Sequence, residues 1–410
     1  MELRNYKFRL YPSRKQTGRL YSQFNLCCEL YNTLLERCKT EYRANGTSLN
    51  NKAKLCQIIK EVKDSDPKFK AVFSQTLQNC ADRLSKAYKN FFRRVKQKQQ
   101  GKRAWVGFPR FKKRFNSITY PQFGFQLLSN KRLHVSKIGN IPIVLHRAPK
   151  GKTKTMTIKR NRAGQWFAVF SCEVESTNRK NRKHPHPDRK VGIDVGIENF
   201  ATLSDGEAIP NPRFLIESER KLKKLQRRLS RKKKCSTNRR KAIYKVARCH
   251  TRIANQRLDF LHQHSRLIAN GYGFIGVETL NINGMLKNHC LAKHIADASW
   301  GMFLNMLSYK AESAGGQFVK DKAFAPTSQT CPKCDRRVPK KLSDRVHECA
   351  CGYVVHRDVA SANVILNDTA GLAGISDACG DLASTGGHNS LPASRVAEAG
   401  TTFGKPQLHN

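Results

Sequence analysis

The opening residues LRNYKFRLYP alternate apolar and polar positions and stop at Pro12, which predicts one strand. From Lys15 to Tyr42 the apolar residues recur at helical spacing, and helices dominate to about residue 98. In that stretch Leu77, Leu84, Ala87, Tyr88, Phe91 and Phe92 fall on one helical face, a core stripe accompanied by Arg83, Lys86, Lys89, Arg93 and Arg94. From Gly101 to about Glu175 the period shortens to two, as in KTMTIKRNRAGQWFAVFSCEVE, with Arg162, Ala163 and Gly164 as the turn between two strands. The strand–helices–strands order predicts a small β-barrel in which the first strand pairs with the later ones around a helical insertion. Thr177 to Lys190, polar, basic and proline-containing, is expected to be a linker, with a new domain beginning near Arg189.

The second half opens with KVGIDVGIENFATLSDG, a strand, turn and strand in which Asp194 interrupts apolar and glycine positions. Two long helical patterns follow, carrying Leu222, Leu225 and Leu229, then Ile243, Val246 and Ile253. GYGFIGVETL predicts a short buried strand ending at Glu278, Trp300 to Ala314 a helix, and GGQFVKDK another strand. HRDVASANVIL predicts a helix with Asp358 in its first turn. Beyond Asp368 the Gly, Ala, Ser and Asn content without sustained periodicity predicts a flexible tail.

Charge narrows the partners. The 410 residues carry 77 Lys and Arg against 30 Asp and Glu, a net +47, which would repel itself in a compact fold without a polyanion nearby. Between Arg220 and Arg257 there are 17 basic residues and no acid, whereas an ordinary solvated face mixes signs; this stretch predicts a phosphate-binding surface. An anionic membrane is the rival polyanion, but no run of about 18 apolar residues exists and MELRNYKFRLYP lacks the apolar core of a signal peptide. The expectation is a chain of two or three folding units in the cytoplasm, bound to nucleic acid and not to a membrane.

Ten of the fourteen cysteines (Cys27, Cys28, Cys38, Cys56, Cys80, Cys172, Cys235, Cys249, Cys290 and Cys379) are scattered and are expected to be reduced thiols packed as small apolar groups. The other four form CPKC (Cys331, Cys334) and CAC (Cys349, Cys351), two close pairs suited to a tetrahedral structural zinc ion with sulfurs at about 2.3 Å. Disulfides are the alternative, disfavoured in a reducing cytosol. The one-residue spacing of the second pair is tight, leaving His347 as a possible substitute ligand. Because Asp358 follows Cys351 by seven residues, loss of zinc should loosen that acid.

Cutting a phosphodiester needs stabilisation of charge on the attacking and leaving oxygens, which two magnesium ions about 4 Å apart supply when carboxylates hold them. Asp194, Glu278 and Asp358, on separate elements, suit that role, and Asp194 in an apolar strand needs a cation or hydrogen-bond partner. Each acid also has an ordinary explanation: Glu278 as a solvated strand end, Asp358 as a helix-dipole partner.

GIDVGIENFAT, GVETL and HRDVASANVIL resemble the three RuvC segments of the transposon-encoded TnpB nucleases, relatives of type V CRISPR effectors. AYKNFF, GFPRFK, DASWGMF and FAPTSQTCPKC extend the resemblance over most of residues 1 to 368. It implies an α/β multidomain protein: a wedge-like β-barrel (1–12 and 101–178), an inserted helical recognition domain (13–100), an RNase H-like RuvC nuclease domain (189–325 and 352–368) with an inserted zinc ribbon (326–351), and the tail 369–410. It further implies that Asp194, Glu278 and Asp358 are catalytic acids holding Mg2+. A guide RNA from the transposon end would pair with double-stranded target DNA beside a short flanking motif. The family usually has Asp where His356 stands, which puts the acid's surroundings in question rather than Asp358 itself.

Phosphate contacts supply affinity without sequence choice. Gln78, on a helix resembling the family's motif-reading segment, is a candidate for base contact, and Lys89, Arg93, Arg94, Arg110, Lys112, Arg227 and Arg231 for backbone contacts. No helix-turn-helix or RNA-recognition motif stands out. Two alternatives remain: a guide-dependent DNA-binding protein without productive cleavage, and a DDE-type transposase. The Asp–Glu–Asp order with an embedded zinc site favours hydrolysis over strand transfer.

Overall fold

The computed structural model describes residues 2–175, 183–322, 326–341 and 343–378. Cys379, the rest of the expected tail and residues 176–182 of the expected linker lie outside the described residues. Contacts divide the chain into two units, one of residues 1–186, 211–271 and 282–316, the other of 187–210, 272–281 and 317–410.

In the first unit β1 (Glu2–Leu10) is followed by α1 (Arg14–Asn45), α2 (Lys52–Ser65) and α3 (Ser74–Gln99). Ser13 starts α1 with a reciprocal cap: its hydroxyl accepts from the Gln16 amide at 3.2 Å while its own amide donates to Gln16 Oε1 at 2.9 Å. Gly46, in the left-handed conformation, ends the helix. There follow β2 (Ser117–Pro121), β3 (Phe125–Leu128), β4 (Arg132–Val135), β5 (Gly139–Val144), β6 (Lys152–Arg160) and β7 (Trp166–Val174). They form a nearly closed antiparallel sheet in the order β2-β6-β7-β1-β5-β4-β3, in which β1 lies between β7 and β5, so the first strand joins the later ones as the strand–helices–strands order predicts. Phe8, Tyr120, Met156 and Phe170 from the sheet and Leu20, Phe24, Leu34 and Leu84 from the helices share one buried core. The Tyr120 hydroxyl donates to Gln23 Oε1 at 2.9 Å, satisfying two polar groups inside it. Phe92 departs from the predicted core stripe: it is half exposed, stacked against the buried Tyr88.

The basic stretch forms α4 (Phe214–Ser230) and α5 (Thr237–Gly271), which pack on one another and, through α5, on α8 (Trp300–Ala314), after the short α6 (Ile282–Met285) and α7 (Ala292–Ala298). These helices, which the resemblance assigns to the nuclease domain, make their contacts within the first unit. Arg257 is committed to structure: it donates to the buried Asp297, whose other oxygen accepts the Leu215 amide at 2.9 Å. Among the described residues no helix is long and apolar enough to cross a membrane.

The second unit is built on β8 (Lys190–Asp194), β9 (Asn199–Leu203), β10 (Ala208–Pro210), β11 (Phe274–Val277) and β12 (Gln317–Lys320), in the order β10-β9-β8-β11-β12. β8, β11 and β12 are parallel, whereas β9 pairs antiparallel with β8 and β10 antiparallel with β9. A hairpin of β13 (Val346–Glu348) and β14 (Val354–His356) leads directly into α9 (Arg357–Ala378). α9 packs over β8 and β11 at two in-register glycines: a side-chain carbon at Gly192 would lie 2.0 Å from the Ala362 carbonyl oxygen, and one at Gly276 would lie 2.1 Å from Thr369 Oγ1. The expected tail therefore needs correction, because residues 369–378 continue the helix and Thr369 is fully buried. Gly371, Gly374 and the serine in this stretch resemble loop composition, but packing of the preceding turns on the sheet outweighs their weak helix propensity.

Among the described cysteines all are free, and Cys27, Cys28, Cys38, Cys80 and Cys172 are buried as expected. Cys235 and Cys290 are exposed instead, since each lies in a polar connection between helices that offers no core.

Candidate active site

The register of the parallel strands places the acids. Ile193 pairs with Val277, and Val277 with Lys320, so the next residue on each strand path is acidic: Asp194, Glu278 and Asp321. Strand alternation turns Asp194 to the same face as Gly192, and Glu278 to the face of Gly276, the face that α9 covers. Asp358 lies in the first turn of α9, one helical turn before Ala362. Three segments distant in sequence thus bring Asp194, Glu278 and Asp358 toward one place.

Their electrostatics reflect the crowding. Burial, then the negative charges of Glu278 and Asp358, push Asp194 up to about 7, with a hydrogen bond from Ser361 and the nearby Arg357 guanidinium opposing. Burial first, then Asp321, raises Glu278. Arg357 Nε donates to Asp358 Oδ1 at 3.3 Å and its Nη1 to the Asp344 carbonyl at 3.1 Å. The His356 departure is resolved by geometry: its Nδ1 accepts the Asp358 amide at 3.3 Å, the capping role an aspartate would perform at a helix start. Asp321 was not singled out in the sequence; an acid followed by lysine at a strand end reads as solvated surface.

The four cysteines form a tighter group. Cys331 Sγ lies 3.6 Å from Cys351 Sγ and Cys334 Sγ 3.5 Å from Cys349 Sγ, with all four sulfurs within 4.8 Å of one another. A regular tetrahedron of Zn–S bonds has edges of roughly 3.8 Å, so the set fits a zinc ion and is too open for disulfides. Both members of the one-residue pair belong to it. His347 does not: its Nδ1 faces Lys340 Nζ and its ring packs on Tyr353. The acids are more spread; among the described residues only the four cysteines bring ligand atoms this close.

The candidate nucleic-acid residues are on the surface. Gln78, Lys89 and Arg93 are exposed on α3, with Arg94 half-buried; Arg110, Lys112, Arg227 and Arg231 are exposed. Lys112 is positioned by its backbone, which exchanges hydrogen bonds of 2.8 and 2.9 Å with the Asn32 side chain, leaving its ammonium outward over Tyr31.

Comparison with known proteins adds family membership. Residues 169–289 match the IS605 OrfB family model, described as "Probable transposase", residues 300–365 one described as "Cas12f1-like, TNB domain", and residues 1–47 one described as "Helix-turn-helix domain". The last was not legible as such in the sequence, and in the structure that segment is β1 followed by the single helix α1. The chain is 34% identical over 387 residues to a "Putative RNA-guided DNA endonuclease" of Streptomyces pristinaespiralis, covering 92% of this chain and 91% of the relative. It is 32% identical over 408 residues to "Putative RNA-guided DNA endonuclease InsQ" of Escherichia coli strain K12, covering 94% and 96%. A solved Cas12f1–sgRNA–target DNA complex aligns at 16% identity and a TM-score of 0.34, covering 90% of this chain and 99% of that one, a likeness too slight to bear on fold or function. Similarity along nearly the full length of both relatives makes the chain a member of the IS605 OrfB (TnpB) family.

Proposed function

We propose that this protein is an RNA-guided DNA endonuclease that hydrolyses target DNA beside a short flanking motif, with Asp194, Glu278 and Asp358 holding Mg2+ in an RNase H-like RuvC domain. The observation that carries the reading is the convergence on Asp194: Glu278 from the end of β11 and Asp358 from the start of α9 both act on its charge. Such a cluster has more negative charge than Arg357 offsets, and it favours a bound cation. Divalent ions held there would stabilise the charge that develops on the attacking and leaving oxygens.

The remaining roles belong to the chain's own residues. Ser361 orients Asp194, and His356 fixes the backbone at Asp358. The four cysteines would hold a structural zinc ion at the hairpin that leads into α9, steadying the helix start that carries Asp358. The basic faces of α3, α4 and α5 suit the phosphates of a guide RNA and its heteroduplex, and Gln78 suits contact with a base edge of the flanking motif. A DNA substrate and relatives from bacteria fit work in the bacterial cytoplasm.

Cleavage-free binding is the weaker reading because all three acids are retained, and strand transfer of the DDE type is weaker because the third acid is Asp. The test is to purify the protein with its copurified RNA, sequence that RNA, and supply double-stranded DNA containing its complement. A discrete RNA and Mg2+-dependent cutting of the complementary DNA alone are expected. Random RNA, or cutting that ignores complementarity, contradicts the proposal.

A further inference from the structure

Asp321 stands at the end of β12, the strand beside β11, at the same level as Glu278 and Asp194. Its position is fixed by backbone bonds on both sides: its amide donates to the Val277 carbonyl at 2.8 Å, extending the parallel ladder, and its carbonyl accepts from Thr279 Oγ1 at 2.6 Å. The residue is only 4% exposed. Oδ1 accepts the Lys322 amide at 2.6 Å, whereas Oδ2 is buried with no hydrogen-bond partner among the described residues. An isolated buried carboxylate oxygen costs folding free energy unless something in the working molecule meets it. Glu278 feels the Asp321 charge, as does Asp368 on α9, so the groups around that oxygen include further acids. The Lys322 ammonium opposes this charge at Asp368.

We infer that Asp321 is a fourth carboxylate of the metal site, sharing a divalent cation with Glu278. The geometry is a row of three acids across adjacent parallel strands, Asp194, Glu278 and Asp321, with Asp358 at the start of α9 making four. In-register neighbours on parallel strands are about 4.8 Å apart, a spacing at which two carboxylates can take one cation between them with oxygens at about 2.1 Å from a magnesium ion. The unpartnered Oδ2 supplies the ligand atom. This inference rests on the nuclease-site reading above and extends it by one residue on a strand to which that reading assigns nothing.

The test uses zinc-loaded, RNA-stripped full-length protein titrated with Mn2+, with free ion followed by electron paramagnetic resonance and thermal melting measured with and without Mn2+. For Asp321→Asn we expect Mn2+ affinity to fall at least tenfold at one site and most of the Mn2+-induced rise in Tm to be lost. Without Mn2+ its Tm should equal or exceed that of the parent, since the amide removes an uncompensated charge. Asp321→Glu, which keeps a carboxylate, should retain Mn2+ binding better than Asp321→Asn. Parent-like Mn2+ binding by Asp321→Asn overturns the inference, and so does a metal-free Tm well below the parent, which would mean that the carboxylate serves packing. Asp194→Asn and Glu278→Gln separate the two levels: if they lose Mn2+ while Asp321→Asn does not, only this inference fails; if they too bind as the parent does, the nuclease-site reading fails.

Discussion

The carbonyl oxygen of Ala362 occupies the space a side chain at Gly192 would need, so α9 and β8 meet backbone to backbone two residues before Asp194 and one turn after Asp358. The acid site therefore depends on a missing methyl group. Gly192→Ala should push α9 away from the sheet, because a backbone carbonyl cannot swing aside as a side chain can. We expect cleavage to fall at least a hundredfold and stability to drop by about 1–3 kcal/mol, measured by plasmid cutting and denaturant melts. Parent-like cleavage would show that the contact does not position Asp358.

The raised carboxyl of Asp194 sets a pH dependence. In the metal-free protein its proton is held up to about pH 7, against an ordinary 3.8. The folded chain thus keeps a proton that the unfolded chain releases, and the stability linked to it is complete below about pH 4 and is lost as pH rises through 7. Without Mg2+ the Tm should decline between about pH 4 and 7, and Asp194→Asn should flatten that decline. Divalent binding, competing with the proton, should strengthen over the same window. An unchanged Tm slope in Asp194→Asn would contradict the assignment.

Zinc and the third acid are linked through β14, which ends at His356, one residue before α9. Chelating zinc, or changing Cys334 to Ser, should raise amide exchange over residues 354–362 by at least tenfold and abolish cutting even with Mg2+ present. Protection there that survives verified zinc removal would separate the cluster from Asp358.

Arg227 and Arg231 lie exposed on the α4 side of a stretch with 17 basic residues and no acid. Reversing both to Glu should weaken RNA binding and make log affinity less steep in log salt, by about 0.7–0.9 per lost phosphate contact. Melting should be nearly unchanged because neither residue is buried. An unaltered salt slope would place the RNA elsewhere.

Much of this was legible in the sequence because it is local. Period-two and helical spacing gave β1, β8, β11, α8 and the start of α9, and resemblance grouped Asp194, Glu278 and Asp358. What was not legible depends on register or on crossings. Asp321 acquires meaning only when Val277 is seen opposite Lys320. The run of α9 past Asp368 was hidden by glycines and becomes intelligible where Thr369 fills the gap left by Gly276. His356 read as a departure, yet its ring nitrogen performs an acceptor's role at the helix start. His347 shows the converse: its residue type suited zinc, but its ring faces Lys340.

Asp194 is where strand, helix and charge converge, and one measurement tests that directly. Asp194→Ala, purified with its RNA, should bind complementary DNA within about threefold of the parent in a gel-shift assay while cutting it at least a thousandfold more slowly with Mg2+. Cutting at the parental rate would contradict the account.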